Sequence, residues 1–377
     1  MEKKHKILVV DDIKVNVDLL RMRLGKEGYE VSCAYNGLEA LELVKKQKPD
    51  MIISDVIMPE LDGFELCRKI KNNDITRNIP VVLITSLSST EDKVNGLEAG
   101  CDDFLSKPIN DIELTARVRS LLRLKDYTDE LAVKNIAFQK EIRLASKVQE
   151  KILPSDVPDT KGFDIDFRYI PCFMVGGDFY YFMPFSEKKL GVFVADVVGH
   201  GMQAALITMI LKTLLDNFIE QNKTPSELLS EMNLQLINIL GGKFTYVTAV
   251  YTILDLEENK IIYASAGHPA GYLCRNGNVD FLKTKGYVMG LFENAVFETK
   301  EQDLKPGDQI LLYTDGAFEA EDSSFQIFGD EKLLAVFKDN CEKSSKEINE
   351  KIIQELKDFI GDNEFSDDVN LIAIKIK

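Results

Sequence analysis

Between Lys6 and about Arg123, short apolar runs alternate with amphipathic stretches. Ile7–Val10, Val31–Ala34, Met51–Ser54, Val81–Ile84 and Asp103–Leu105 read as strands, and Val15–Lys26, Gly37–Lys46, Phe64–Lys71, Thr90–Glu98 and Asp111–Arg123 as helices. Strand runs this continuously apolar are buried on both faces. Five such βα units predict an α/β domain with a doubly wound parallel sheet, over residues 1–123.

The last of these helices has no stop signal. From Leu124 to Ile152 there is neither Gly nor Pro, and Leu124, Leu131, Phe138, Ala145 and Ile152 recur every seven residues, with Tyr127 and Val148 in the companion position. Lys134 and Glu141 interrupt that companion position, so the heptad is imperfect. A lone helix would leave Phe138 and Ile142 in water, which predicts a coiled-coil linker over 124–158 that pairs two copies of the chain. Pro154 and Pro158 end it.

After Gly162 the texture becomes β-rich: Phe163–Ile170, Leu190–Ala195, Tyr246–Leu254, Lys260–Ser265, Gly271–Arg275, Gln309–Tyr313 and Asn370–Lys375. Helices are expected at about Met202–Ile219, Pro225–Leu240, Glu331–Asn340 and Lys346–Ile360. Asn276-Gly277 between two strand candidates signals a type I′ hairpin. Strands in runs and helices in pairs predict an α+β layered β-sandwich over 159–377.

Composition adds exclusions. With 46 Lys+Arg against 62 Asp+Glu, the 377-residue chain carries a formal charge of −16 and no dense basic cluster, which argues against nucleic acid or an anionic membrane as partner. No apolar run approaches the ~20 residues that span a bilayer, and no signal peptide is evident, so a cytoplasmic protein is expected. The six cysteines are far apart, with no CxxC pair, and are expected to be reduced thiols.

In a doubly wound sheet, ligands bind at the carboxyl ends of the strands. The first strand ends in Asp11-Asp12, the third in Asp55, the fourth in Thr85-Ser86 and the fifth in Lys107-Pro108. Converging carboxylates need a hard cation such as Mg²⁺, and a hydroxyl and an ammonium beside them suit a transferred phosphoryl group, so phosphorylation of Asp55 is the chemistry expected. The segment resembles a response-regulator receiver domain, of flavodoxin-like fold. The resemblance implies Asp11, Asp12, Asp55 and the Val56 carbonyl as Mg²⁺ ligands, Asp55 as phosphoacceptor, and Thr85, Phe104 and Lys107 as the switch residues. It also implies a histidine kinase or small phosphodonor as partner. Ser86 stands where the family usually has Ala.

The second half carries VGGDFYYF (Asp178), FVADVVGHG (Asp196), LLYTDGAFE (Asp315) and SDDVNLIAI (Asp367, Asp368), each at the margin of an apolar strand. Oxygen-only ligands without paired His or Cys favour Mg²⁺ or Mn²⁺, and two such ions suit in-line hydrolysis of a phosphate ester. His200 and His268 are candidate acids or ordinary loop histidines. Together the motifs resemble the SpoIIE/RsbU branch of the metal-dependent (PPM-type) serine/threonine protein phosphatases. That resemblance implies two Mn²⁺ or Mg²⁺ held by Asp178, Asp196, the Val197 carbonyl, Asp315 and Asp367, with Gly177, His200 and Asp368 in support. Phe173 occupies the position of the phosphate-gripping Arg of eukaryotic relatives, and Tyr181 that of an Asp common in bacterial ones. The implied substrate is a phosphorylated anti-sigma-factor antagonist in a partner-switching pathway.

Two other outputs compete. Gly176-Gly177-Asp178-Phe179 superficially matches the signature of a cyclic-dinucleotide synthase, but its second acidic residue is missing and the other three Asp motifs would have no role. A catalytically inactive module binding an anti-sigma regulator would have no need of the full Asp set. The helix running into Glu150–Pro154 is expected to be the regulatory joint between Asp55 and the phosphatase.

Overall fold

A computed structural model describes residues 4–85, 90–158, 160–218, 223–241 and 245–377. The chain divides into two compact units, Met1–Phe138 and Gln139–Lys377.

The first unit is the expected α/β domain. Strands β1 (Lys6–Val10), β2 (Glu30–Ala34), β3 (Met51–Asp55), β4 (Val81–Thr85) and β5 (Asp103–Ser106) form one parallel sheet in the order β2-β1-β3-β4-β5. Helices α1 (Lys14–Lys26), α2 (Gly37–Gln47), α3 (Gly63–Lys71) and α4 (Thr90–Glu98) connect them, and α5 (Asp111–Ile152) begins here. Alternation along each strand splits the core in two. Leu8, Val10 and Ile52 pack with Leu66 and Ile70 on one face, while Ile7, Val9, Met51 and Ile53 pack with Leu20, Leu24, Leu114 and Val118 on the other. Asn36 and Asp62 set the starts of α2 and α3 by accepting the Glu39 and Glu65 N–H groups at 2.8 and 2.7 Å.

Helix α5 runs unbroken for 42 residues, and the division between the units falls within it. Leu124, Tyr127, Leu131, Phe138 and Val148 of the heptad stripe are exposed.

The second unit has two antiparallel five-stranded sheets. One, ordered β13-β10-β9-β8-β7, is built from β7 (Asp178–Ser186), β8 (Lys189–Val197), β9 (Val247–Asp255), β10 (Lys260–Ala266) and β13 (Lys300–Asp303). The other, ordered β12-β11-β14-β15-β6, uses β6 (Phe163–Ile170), β11 (Gly271–Arg275), β12 (Asn278–Leu282), β14 (Gln309–Tyr313) and β15 (Val369–Ile376). Ile310 and Leu312 of β14 enter the core shared with Phe193 and Leu254 of the facing sheet and with α6 (Met202–Phe218) and α7 (Pro225–Leu240). Leu311 and Tyr313 point the other way, onto α9 (Asp330–Asn340) and α10 (Ser345–Ile360). The layers run helix, sheet, sheet, helix, as the α+β expectation requires. Asn276 and Gly277 both have positive φ, 51° and 78°, as the hairpin signal demands.

Strand β13 and the one-turn helix α8 (Gly316–Glu319) extend the expected set, while β7 is the apolar strand that Asp178 borders and β12 is the second strand of the Asn276-Gly277 hairpin. Edge strand β13 reads KEQD, too polar to announce itself. The expected end of α6 at Ile219 lies outside the described residues, as does Ser86. The cysteine expectation is corrected at one pair: Cys274 and Cys341 form a disulfide, with Cα atoms 6.3 Å apart, whereas Cys33, Cys67, Cys101 and Cys172 are free. Their separation of 67 residues hid the pair, which β11 and the end of α9 bring together in one core. Among the described residues, no helix is long and apolar enough to cross a membrane.

Candidate functional site

In the first unit the expected residues stand at the carboxyl ends of the strands. Asp11 and Asp12 follow β1, Asp55 and Thr85 close β3 and β4, and Lys107 follows β5. Carboxylate oxygens of Asp11, Asp12 and Asp55 lie within 4.8 Å of one another, with Asp11 and Asp55 buried and Asp12 exposed. Lys107 Nζ is 2.8 Å from Asp55 and 3.5 Å from Asp11. Burial raises the Asp55 carboxyl above its ordinary range despite that ammonium. Lys107 loses some basicity to burial, but Asp55 and Asp11 hold it above its ordinary value. One ammonium against three carboxylates leaves the pocket negative, which fits a divalent cation.

Around this pocket, Val56 N–H donates to Asp55 Oδ1 at 3.0 Å, and the Val56 carbonyl accepts the Gly63 N–H at 2.9 Å. Thr85 is buried, and the Phe104 ring covers Gly96 of α4 so closely that a Cβ there would lie 2.1 Å from it. Asn16 was not singled out from sequence. Its amide, in the first turn of α1, donates to both Asp11 oxygens at 3.1 and 3.0 Å.

In the second unit the four Asp motifs meet at one end of the sandwich. Asp178 and Asp196 are direct partners in the β7–β8 ladder, at the start of one strand and the end of the other. Asp315 opens α8 after β14, and Asp367 precedes β15. Their fields overlap: burial, then Asp315 and Asp367, push the Asp196 carboxyl up to about 8. Burial and Asp196 push the fully buried Asp178 well above its ordinary range, and Asp315 and Asp367 are raised chiefly by burial. A fold that gathers one buried and three half-buried carboxylates, with no Lys or Arg hydrogen-bonded to any of them among the described residues, is suited to cations.

The supporting groups explain how the loop is held. Buried Asp368 accepts N–H groups from Cys172 at 2.8 Å, Gly177 at 2.6 Å and Asp178 at 3.3 Å, so it positions the VGGD segment. Thr314 Oγ1 donates to Asp178 Oδ2 at 2.6 Å. A Cβ on Gly177 would stand 2.9 Å from the Val197 carbonyl, so this residue must be glycine for the two segments to touch. Among the described residues, the group in this unit whose ligand atoms all lie within 4.8 Å of one another is Cys172, Asp367 and Asp368; no three of Asp178, Asp196, Asp315 and Asp367 come that close.

His200 is exposed at the rim, its ring stacked on Phe173 with centroids 4.7 Å apart. His268, by contrast, is buried. Its Nδ1 meets Thr248 Oγ1 at 2.9 Å and its Nε2 the Tyr313 carbonyl at 3.1 Å, so both ring nitrogens are occupied and its role is structural. Burial lowers its pKa to about 3. Tyr181 turns to α6, donating to Asp216 at 2.8 Å. Gln149, in the last turn of α5, was also not singled out. It is buried, and its amide bonds both backbone groups of Gly176 and the Thr208 hydroxyl.

Comparison with known proteins agrees with this geometry. The family model for stage II sporulation protein E (SpoIIE) matches residues 186–377, which include Asp196, Asp315 and Asp367 and begin just after Asp178. The model for the response regulator receiver domain matches residues 7–119. Response regulator PleD of Caulobacter vibrioides is 55% identical over 126 residues, 33% of this chain and 28% of that relative, so the chain spans under a third of its length. The SiaA-PP2C domain of Pseudomonas aeruginosa superposes with a TM-score of 0.59 over 65% of this chain and all of that one, at 23% identity, a likeness of fold. The structure of the RsbU and RsbW domains of a Mycobacterium tuberculosis protein superposes with a TM-score of 0.52 at 25% identity, over 60% of this chain and 63% of that one. The segment is thereby placed with the phosphatase family and not with cyclic-dinucleotide synthases. With more than half of its residues inside that match, the chain belongs to the SpoIIE family, as a response regulator whose receiver domain precedes a phosphatase-family output domain.

Proposed function

We propose that this protein is a metal-dependent protein serine/threonine phosphatase switched by phosphorylation of Asp55. The observation that carries the reading is the convergence of Asp178, Asp196, Asp315 and Asp367 on one end of the sandwich, with all four carboxyls raised by burial and Asp178, Asp196 and Asp367 raised further by neighbouring carboxylates. Two Mn²⁺ or Mg²⁺ ions bound there would activate water and neutralise the phosphate ester's charge. Asp178, Asp196 and the Val197 carbonyl hold them from the β7–β8 end, and Asp315 and Asp367 from the opposite sheet. Asp368 and Thr314 keep Asp178 in place, and Gly177 lets the Val197 carbonyl come close. Phe173 supplies no positive charge, so binding of the phosphate falls to the cations, with His200 at the rim.

In the receiver, Asp11, Asp12, Asp55 and the Val56 carbonyl hold one Mg²⁺. Asp55 takes the phosphoryl group from a histidine kinase or small phosphodonor, Lys107 and Thr85 bind its oxygens, and Phe104 follows Thr85. The exposed α5 stripe pairs two chains. A change of pairing or helix register then reaches the phosphatase through α5, whose final turn carries the Gln149 clamp on Gly176. The protein works in the cytoplasm on a phosphorylated anti-sigma-factor antagonist. The limits of the units, 1–123, 124–158 and 159–377, follow from the same reading.

The test is Mn²⁺-dependent hydrolysis of a phosphoserine peptide, absent in Asp315→Ala, together with phosphodonor labelling lost in Asp55→Ala. Undiminished rates in Asp315→Ala would sink the phosphatase. Equal rates and an unchanged oligomeric state with and without phosphodonor would sink the coupling.

A further inference from the structure

Six residues beyond Asp315 the chain makes a small hairpin, Glu321 to Ile327, whose two ends form an isolated bridge. It is tightly built. Asp322 N–H donates to the Gln326 carbonyl at 3.0 Å, and Asp322 Oδ1 accepts the Ser324 and Gln326 N–H groups at 2.8 and 2.9 Å. Its base is pinned by Phe328 N–H to the Ala320 carbonyl and Gly329 N–H to the Phe318 carbonyl, at 2.9 and 2.8 Å, and by the buried Phe328 ring, 5.4 Å from Phe359.

The tip is occupied by Phe325, in a left-handed conformation with φ 59° and 83% exposed, and Ile327 beside it is 56% exposed. Such a backbone suits glycine or asparagine, and a bulky aromatic there is an outlier. The ring gains nothing from its own fold, since it lies in water. A rigid turn that holds a large apolar side chain outward at a conformational cost is preorganised to bury it against something else.

Charge identifies what that is. Between Asp315 and Gly329 the chain carries Glu319, Glu321 and Asp322 and no Lys or Arg. Glu319 and Glu321 are exposed, and Glu319 ends the one-turn helix that Asp315 opens, its N–H donating to the Asp315 carbonyl at 2.8 Å. The hairpin is thus an acidic rim with an aromatic tip, continuous with the proposed metal site. We propose that it docks the protein substrate, taking a segment of the phosphoprotein that is basic and apolar, while the phosphoserine enters the site. The inference rests on the phosphatase reading and adds to it the chemistry by which the substrate is selected.

The full-length protein is assayed in Mn²⁺ on three probes: p-nitrophenyl phosphate, serine-phosphorylated histone as a basic phosphoprotein, and casein as an acidic one. Phe325→Gly relieves the backbone, so its thermal midpoint is expected to hold or rise. Its kcat/KM on phosphohistone is expected to fall about tenfold, chiefly through KM, with p-nitrophenyl phosphate unchanged. Glu321→Lys is expected to lower the histone rate and raise the casein rate. Unchanged histone kinetics in both variants, with normal aryl phosphate turnover, would overturn the docking inference alone. A change of oligomeric state in Phe325→Gly would overturn it in favour of a second copy as occupant. Failure of the unmodified protein to hydrolyse p-nitrophenyl phosphate would instead bring down the phosphatase reading beneath it.

Discussion

Gln149 holds Gly176 by both of its backbone groups: the side-chain amide donates to the Gly176 carbonyl at 2.8 Å, and the amide oxygen accepts the Gly176 N–H at 3.2 Å. Gly176 stands two residues before Asp178, so the final turn of α5 is joined directly to a proposed metal-ligand segment. Gln149→Ala would leave the buried Gly176 N–H and carbonyl without this partner, at about 1 kcal/mol or more each, while the Thr208 hydroxyl keeps its bond to the Ala205 carbonyl. We expect Mn²⁺ affinity, measured by calorimetry, to fall at least about tenfold while the fold survives. Unchanged affinity would mean that the joint does not reach the site.

Glycine at 316 is required by contact. A Cβ there would sit 2.1 Å from the Asp368 carbonyl, in the segment that supplies Asp367 and the loop-holding Asp368 carboxylate. Gly316→Ala should destabilise the second unit by about 1–3 kcal/mol and weaken Mn²⁺ binding. Thermal melts with and without Mn²⁺ read both effects, and a variant with native values for both would refute the packing argument.

Much of this was legible in the sequence because strand ends carry their chemistry in order. Asp11, Asp55, Thr85 and Lys107 each follow an apolar run, and Asp196 and Asp315 do the same. What escaped was set by long-range register. Gln149 reads as one polar residue among many in α5, and only folding brings it to Gly176. The contact of Thr314 with Asp178 spans 136 residues. His268 looked as able as His200 to reach chemistry, and burial between Thr248 and Tyr313 decided otherwise.

That burial has a pH signature. His268 titrates near 6.5 when unfolded and at about 3 when folded, so the unfolded chain binds the extra proton between those values. Its contribution is fully present above pH 6.5 and is lost as pH falls toward 3, on the order of 5 kcal/mol in all. His268→Gln should flatten this part of the stability–pH curve, measured by urea melts. A slope equal to that of the unmodified chain would contradict the assignment.

The carboxylates of the proposed metal site have the opposite sign. With Asp196 at about 8 against an ordinary 3.8, the metal-free protein retains a proton there at pH 7. The stability this group contributes is present at low pH and is lost as pH rises through about 8. Mn²⁺ must displace that proton, so its apparent affinity should climb between pH 6 and 8 and level off above, with proton release seen as buffer-dependent heats in calorimetry. A pH-independent affinity without proton release would show that Asp196 is not a ligand.

The most direct measurement is the initial rate of phosphate release from a phosphoserine peptide by the full chain, with Mn²⁺ or EDTA, for the unmodified protein and Asp196→Asn. Release that needs Mn²⁺ and falls at least about a hundredfold in Asp196→Asn is the result predicted. Release that is indifferent to EDTA, or equal in the two proteins, would contradict the assignment of a metal-dependent phosphatase.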